Sequence, residues 1–463
     1  MNLWKGRSVP ASALLVVAYF YYFVADTLKV HFAPDDMMNL ATYWRLTPWQ
    51  ILQGMIMPWR GAYRPVAALY YLPLNHYFGL RPAPFHFVFL LLVLIGIGLT
   101  YWLAVLLGVS RLAGMLTSLI VCFHCGVANL YYNTAFIYDV LCGLFYLASL
   151  VYYVRIRQSG RALRGREIGS FLVLMLLALD AKEMAVTIPV VLVAYELIYR
   201  QCSWRPILLG GLLDLLYCYG KTHGRNALMS QPAYAPVFSI ARWKDFQLRS
   251  FGELFLVQDQ FRMWSVVLLW FAVFYIALRM NRPVLWFCAL WVVVTPLPIE
   301  FLIGRGGACL YVPLFGWAVF AAICFQGLAG ALARMLADDP VLRHVGAHAI
   351  SGVLIVAGVF GWATENRRLK DEMVRPSMNA LGGLTWDVIE QLNAMRPVVR
   401  PHSRIAFLDD PFEDWDMAFI ADLWFRDRSL EIKLNRKTPL TAEELARADY
   451  LFTFLDGRLV QVR

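Results

Sequence analysis

His31-Phe-Ala-Pro-Asp-Asp-Met-Met-Asn39 sets two adjacent carboxylates, Asp35 and Asp36, directly after the first long apolar run of the chain, residues 9–30. A run of ~20 apolar residues is long enough to cross a bilayer. Two carboxylates cannot follow it cheaply into hydrocarbon. The stretch therefore marks where the chain leaves the membrane and opens a polar, aromatic segment that ends near Tyr63-Arg-Pro65.

The same pattern recurs outward from this point. The chain is 60% hydrophobic and 16% charged, against roughly 45–50% and about 25% in soluble domains. Its length and repeated apolar runs predict an all-α polytopic membrane protein of about eleven transmembrane helices. The formal charge of +10 does not point to nucleic acid. Residues 400–463 hold ten Lys and Arg against twelve Asp and Glu, so the excess lies in short loops such as Arg155-Ile-Arg157, Arg161, Arg164 and Arg166. Short basic loops follow the positive-inside bias.

Lys5 and Arg7 place the N-terminus in the cytoplasm and make the first run a retained signal anchor. Residues 31–65 are then extracytoplasmic, and 66–79 are too short to cross. Spans follow at about 85–107, 113–128 and 135–154. A hairpin over 168–199, turning near Asp180-Ala-Lys-Glu183, keeps the basic loops on either side of it together. Further spans are expected at 206–222, 263–280, 284–303, 307–327 and 346–364, with a surface-lying outer loop at 223–262 and a cytoplasmic 328–345. This organisation divides the chain into a membrane domain, 1–364, and a small extracytoplasmic α/β domain, 365–463.

In that second domain, 384–395 reads as an amphipathic helix, and 404–408 and 430–434 as strands. Thr441-Ala-Glu-Glu444 reads as a capping box. Asp456-Gly457 between two apolar stretches reads as a hairpin turn. Cys122-Phe-His-Cys125 has metal-like spacing, but its uniformly apolar surroundings and the lack of a second ligand pair favour small buried hydrophobes.

Four polar features share the outer side under this topology: Asp35/Asp36, Asp139, Lys182-Glu183 and Arg305. Each has an ordinary reading: helix-start carboxylates, an ion pair at a turn, an arginine reaching the headgroups. Each also has a chemical one. A carboxylate can take a proton from an acceptor hydroxyl while cations hold a leaving phosphate. Asp35, Asp36 and Asp139 could alternatively hold a divalent metal, the one cofactor the residues suggest. Arg305, with Gly304, Gly306 and Gly307 around it, could clamp a phosphate that the glycines let approach; Arg64 and Arg81 are similar candidates.

Five stretches in order resemble the GT-C superfamily of membrane glycosyltransferases, in particular protein O-mannosyltransferase-type enzymes and the transmembrane tetratricopeptide-repeat O-mannosyltransferases. They are Phe32-Ala-Pro-Asp-Asp36; Tyr63-Arg-Pro65 with Phe78-Gly-Leu-Arg-Pro82 and Phe85-His86; Tyr138-Asp-Val-Leu141 with Leu144-Phe-Tyr-Leu-Ala-Ser-Leu150; Ala181-Lys-Glu-Met-Ala-Val-Thr-Ile-Pro189 with Tyr195-Glu-Leu197; and Arg305 with Leu310-Tyr-Val-Pro313 and Gly316. Tyr138 stands where that family commonly has Arg, and no tetratricopeptide array follows.

The resemblance implies a GT-C-like fold and an inverting transfer of sugar from a polyprenyl-phosphate donor, at the extracytoplasmic face, to a hydroxyl of a lipid, glycan or protein. It implies Asp35 or Asp36 as base, with Asp36 the preferred of the two. Asp139, Lys182, Glu183, Arg305, Arg64 and Tyr311 are the implied substrate-binding residues. A transporter or flippase of lipid-linked glycans is the rival reading, disfavoured by the lack of an internal repeat.

Overall fold

The computed structural model describes residues 8–59, 63–200, 203–224, 234–257, 261–337 and 346–463. Lys5 and Arg7, on which the orientation of the N-terminus rests, lie outside them.

Helix α1 (Ser8–Val24) runs on as a 3-10 turn to Lys29, and the chain then bends by 77° into α2 (Pro34–Trp44). The bend is local in origin. Ala33, held extended at ψ 160° by the proline after it, cannot continue a helix, and Pro34 starts the next one. Helix α3 (Pro48–Ile56) opens on a capping box in which the Thr47 hydroxyl accepts from the Gln50 N–H and Gln50 Oε1 accepts from the Thr47 N–H. Helix α4 (Ala68–Phe78) has eleven residues, as its short apolar run requires, and α5 (Pro82–Leu106) has twenty-five.

After α6 (Arg111–Cys122), α7 (Asn129–Tyr132) and α8 (Ile137–Arg157) comes α9 (Gly165–Ala181), which stops at Lys182; α10 (Ile188–Ile198) follows a 3-10 turn. Contacts at both ends make this pair the expected hairpin. Glu196, near the end of α10, pairs with Arg157 at 2.9 Å and accepts from the Tyr153 hydroxyl at 2.8 Å, both at the end of α8 and close to the start of α9. Lys182, at the tip, meets Asp139 at the start of α8.

Helices α11 (Trp204–His223), α12 (Ile240–Leu254), α13 (Met263–Met280), α14 (Pro283–Val294), α15 (Leu297–Glu300) and α16 (Tyr311–Ala337) complete the bundle. Among the described residues, six helices are long and apolar enough to cross a membrane, or seven if the bent α1–α2 pair counts as one. Eleven are expected from the sequence. The difference lies in α6, α9 and α10, of 12, 17 and 11 residues, and in α11, which carries Arg205, Asp214 and Lys221.

Helix α17 (Ala347–Leu369) passes through a π turn at Lys370–Val374 directly into α18 (Arg375–Met395). The boundary expected at 364/365 falls inside this continuous helical stretch. The four-stranded sheet has the order β2-β1-β3-β4, with β1 (Arg404–Phe407) parallel to both β2 (Glu431–Leu434) and β3 (Tyr450–Leu455). Strand β4 (Arg458–Gln461) returns antiparallel through Asp456 and Gly457, whose φ of 49° and 76° is the left-handed geometry such a turn needs. Helix α20 (Ala442–Arg447) carries the expected Thr441/Glu444 capping box.

Helix α19 (Asp416–Phe425) has no counterpart in the sequence reading and is the element that matters most for the site. It packs on α2, and its Asp422 takes a two-point ion pair from Arg45, Nε–Oδ2 2.8 Å and Nη2–Oδ1 2.6 Å. Arg428 donates to the Trp44 carbonyl, and Trp386 of α18 stacks on His31 at 4.5 Å. The C-terminal domain therefore grips both flanks of the acidic stretch.

One close approach is testable. A Cβ added at Gly126 would lie 2.0 Å from the Glu253 carbonyl oxygen, where α12 crosses the break after α6. Gly126→Ala is expected to cost at least about 1–3 kcal/mol, read as a lowered thermal midpoint in detergent. Gly98→Ala, whose added carbon meets no atom within 4 Å, is the control with no loss.

Candidate active site

A cavity of ≈ 690 Å³ opens where α2, α8, α11 and the α9–α10 tip converge. Asp35, Arg64, Asp139, Lys182, Glu183 and Arg305 all line it. Six of the eight residues that the resemblance implies as base or substrate contacts thus meet in one place, although they are spread over 271 positions of chain, from 35 to 305; Arg81 does not line the cavity.

Local structure explains how each gets there. Pro34, Asp35 and Asp36 form the first turn of α2. Acidic residues are favoured there because the N-terminal amides are unpaired and partly positive. Their two side chains diverge. Asp35 is exposed to the cavity. Asp36 is only 1% exposed and does not line it. Its Oδ2 accepts from the Ala33 N–H at 3.0 Å, and its Oδ1 accepts from the Thr134 hydroxyl at 2.5 Å and the Tyr71 hydroxyl at 3.4 Å. Burial, outweighing these donors, pushes the Asp36 carboxyl up to about 7. Asp36 fastens the start of α2 to the segment before α8. The preference for Asp36 over Asp35 as base does not follow from this geometry.

At the opposite end of the same loop, Arg64 has φ 45° and ψ 63°, a left-handed conformation that a non-glycine residue adopts at a cost. The surroundings hold it there. The Tyr43 hydroxyl is 2.9 Å from the Tyr63 carbonyl oxygen, 3.0 Å from that of Arg64 and 2.9 Å from the Tyr138 hydroxyl. The guanidinium makes a two-point pair with Glu183, 2.7 and 3.3 Å, and lies 4.5 Å and 4.9 Å from the ring centres of Tyr63 and Tyr138. Tyr138, standing where Arg is common in the resembling family, thus presents a ring face to a cation from another segment.

Lys182 Nζ reaches Asp139 Oδ1 at 2.5 Å, and the pair is buried, 9% and 5% exposed. Arg305 lies over the Tyr234 ring at 4.6 Å, and the Tyr234 hydroxyl is 2.6 Å from that of Tyr63. The glycines beside Arg305 serve a different purpose from the one expected. The Gly307 N–H donates to Glu253 Oε2 at 2.6 Å, and a Cβ at Gly306 would meet the same carboxylate at 2.8 Å. Gly306 and Gly307 admit a protein carboxylate, whereas an added carbon at Gly304 meets no atom within 4 Å.

Two residues complete the comparison with the sequence. Tyr311 does not reach the cavity. It is 5% exposed among α5, α8 and α16, in a notch made by Gly96 and Gly143, where added carbons would lie 2.9 Å and 2.7 Å from it. The substrate contact expected of Tyr311 does not follow from this placement. Lys221, near the end of α11, was missed. It lines the cavity, lies 5.4 Å over the Tyr217 ring and makes no ion pair among the described residues. The one available signal was an ionisable residue within a largely apolar helix, a signal that Asp214 of the same helix shares.

Among the described residues, no group of three or more His, Cys, Asp or Glu side chains is placed to hold a metal ion. Asp139 is engaged by Lys182 and Asp36 by three donors, so Asp35, Asp36 and Asp139 do not form a ligand set.

Lys182→Ala leaves Asp139 buried and unpaired. Such a break costs about 3–5 kcal/mol and would show as a large drop in thermal midpoint. The double variant Lys182→Met/Asp139→Leu is expected to regain most of it. Asp36 gives a pH signature. Its carboxyl titrates at about 7 in the folded chain and at the ordinary 3.8 when unfolded. The stability that comes from burying it neutral is full below 3.8 and is lost as pH rises through about 7. Between pH 5 and about 8 the thermal midpoint of Asp36→Asn is expected to fall less than that of the parent.

No protein-family model and no curated protein sequence matches the chain. Solved structures do. ArnT of Cupriavidus metallidurans bound to undecaprenyl phosphate is 14% identical, with TM-score 0.53, over 92% of this chain and 85% of that one. The same protein in its apo state is 13% identical, with TM-score 0.52, over 97% and 93%. The oligosaccharyltransferase of Archaeoglobus fulgidus in its apo form is 10% identical, with TM-score 0.48, over 94% and 65%. At these identities the likeness is one of fold. The chain is an integral membrane protein with the fold of the GT-C glycosyltransferases that its ordered motifs resemble.

Proposed function

We propose that the chain is an inverting glycosyltransferase that moves a sugar from a polyprenyl-phosphate donor to an acceptor hydroxyl of a lipid, glycan or protein at the extracytoplasmic face. The observation that carries the reading is the single cavity in which an exposed carboxylate, Asp35, shares one space with Lys182, Lys221 and Arg305. The likeness to ArnT bound to undecaprenyl phosphate supports a polyprenyl-linked donor.

The chemistry follows from the charges. The phosphate of the donor sits among the three cations, which stabilise the charge it gains on leaving. Leu297, Phe301 and Leu302 on the cavity wall offer apolar surface to the first isoprene units. Asp35 takes the proton of the acceptor hydroxyl as its oxygen bonds to the anomeric carbon from the face opposite the phosphate. The bond from that carbon to the phosphate oxygen breaks, and polyprenyl phosphate departs with the electron pair. Glu183 and Asp139 fix Arg64 and Lys182 and take no part in the bond changes.

The test is transfer of radiolabelled sugar from polyprenyl-phosphate donors to membrane-extracted acceptors by the purified, reconstituted chain. Asp35→Asn is expected to lower the rate by at least about 100-fold with its thermal midpoint unchanged. Asp36→Asn is expected to keep most of the rate. Full activity in Asp35→Asn sinks the assignment of the base. Movement of intact labelled donor across the bilayer, with no transfer, replaces the enzyme reading with a flippase.

A further inference from the structure

A second cavity, of ≈ 480 Å³, lies between α1, α5 and α6 and shares no residue with the first. Its walls are almost wholly apolar and include Val16, Gly98 and Met115. On α5 they run from Leu94 to Val105, about 16 Å along the helix axis. Helix α8 relates the two sites. Asp139 at its start lines the first cavity, and Arg155 near its end reaches the second through Trp102. Sixteen residues of helix put them about 24 Å apart. The groove is at the other end of the bundle from the candidate active site.

One end of the groove is cationic. Arg111 lines it and is the first residue of α6, a twelve-residue helix capped by Ser110. The helix N-terminus there favours an anion. Arg155 stands 5.5 Å over the ring of Trp102, which also lines the groove. The arrangement is an apolar trough with a basic mouth.

The second observation concerns hydrogen bonds. Trp102 Nε1 and Ser118 Oγ, both on groove-lining residues, are buried and have no hydrogen-bond partner, and Ser118 is 1% exposed. A buried donor left unsatisfied is costly, so a partner is expected. An isoprenoid chain carries no acceptor along its length and cannot supply one. A glycerophospholipid can, because two ester carbonyls sit between its phosphate and its chains.

We infer that this groove is a binding site for an anionic glycerophospholipid. An acyl chain lies along α5, ester carbonyls accept from Trp102 and Ser118, and the phosphate meets Arg111 and the start of α6. The inference is independent of the reading of the active site.

The test is photolabelling of the full chain in vesicles of phosphatidylcholine doped with a phosphatidylglycerol that carries a diazirine on its acyl chain. Label is expected within residues 94–105 of α5. Gly98 gives a plug, since an added Cβ there meets no atom within 4 Å. Gly98→Phe is expected to lower labelling of these residues at least about tenfold, and the exposed-side variant Arg111→Ala roughly tenfold. Unchanged labelling in both variants overturns the site. Equal labelling by a phosphatidylcholine probe, insensitive to Arg111→Ala, overturns the anionic headgroup. Labelling here by a photoreactive polyprenyl phosphate in preference to phosphatidylglycerol overturns the phospholipid.

Discussion

The Lys182–Asp139 ion pair is the contact on which the rest of the site depends. It joins the tip of the α9–α10 hairpin to the start of α8, at 2.5 Å and out of water. Next to it along the chain, Glu183 holds Arg64 by two points. Two consecutive residues of one turn thus tie together three segments that are far apart in sequence. A buried pair of this kind is weak evidence for stability, because desolvation offsets much of its attraction. Its effect is geometric: it gives the hairpin tip a single seat, and with it the cations of the cavity.

The charges of the cavity then divide by task. Asp139 and Glu183 are each engaged by a cation, whereas Asp35 is exposed and Lys221 makes no ion pair among the described residues. Fixed pairs cost no reorganisation when charge develops nearby, which is the condition for electrostatic stabilisation of a leaving phosphate. The C-terminal domain extends the same logic. By holding Arg45 through Asp422 and His31 through Trp386, it fixes α2 at both ends and therefore the direction in which Asp35 points. The domain is thus joined to the same stretch that carries Asp35.

The two cavities differ in kind. The first is rich in charge at the ends of broken helices. The second is apolar, with Arg111 at the start of α6 and Arg155 over Trp102, near the end of α8. Broken helices are what make the first one possible. Only where α9 stops at Lys182, and where Pro34 turns the chain by 77°, can polar backbone and ionised side chains be placed beside the membrane domain.

The sequence by itself determined the class of the molecule, the hairpin and the site candidates Asp35, Arg64, Asp139, Lys182, Glu183 and Arg305, because ionised residues in an apolar context are too costly to be incidental. It also determined the turn chemistry of the C-terminal sheet, since Asp456-Gly457 and Thr441/Glu444 act over a few residues. Only the tertiary structure decided which of two adjacent carboxylates faces the cavity. Asp35 and Asp36 are alike in propensity, and what separates them is Thr134 and Tyr71, which lie 98 and 35 positions beyond Asp36. The places of Tyr311 and Lys221 were decided in the same way: the tyrosine near Arg305 in sequence turned into a glycine notch, and Lys221, which the sequence reading did not single out, turned into the cavity. Direction of a side chain is set by what packs behind it, and that is a property of the assembled bundle.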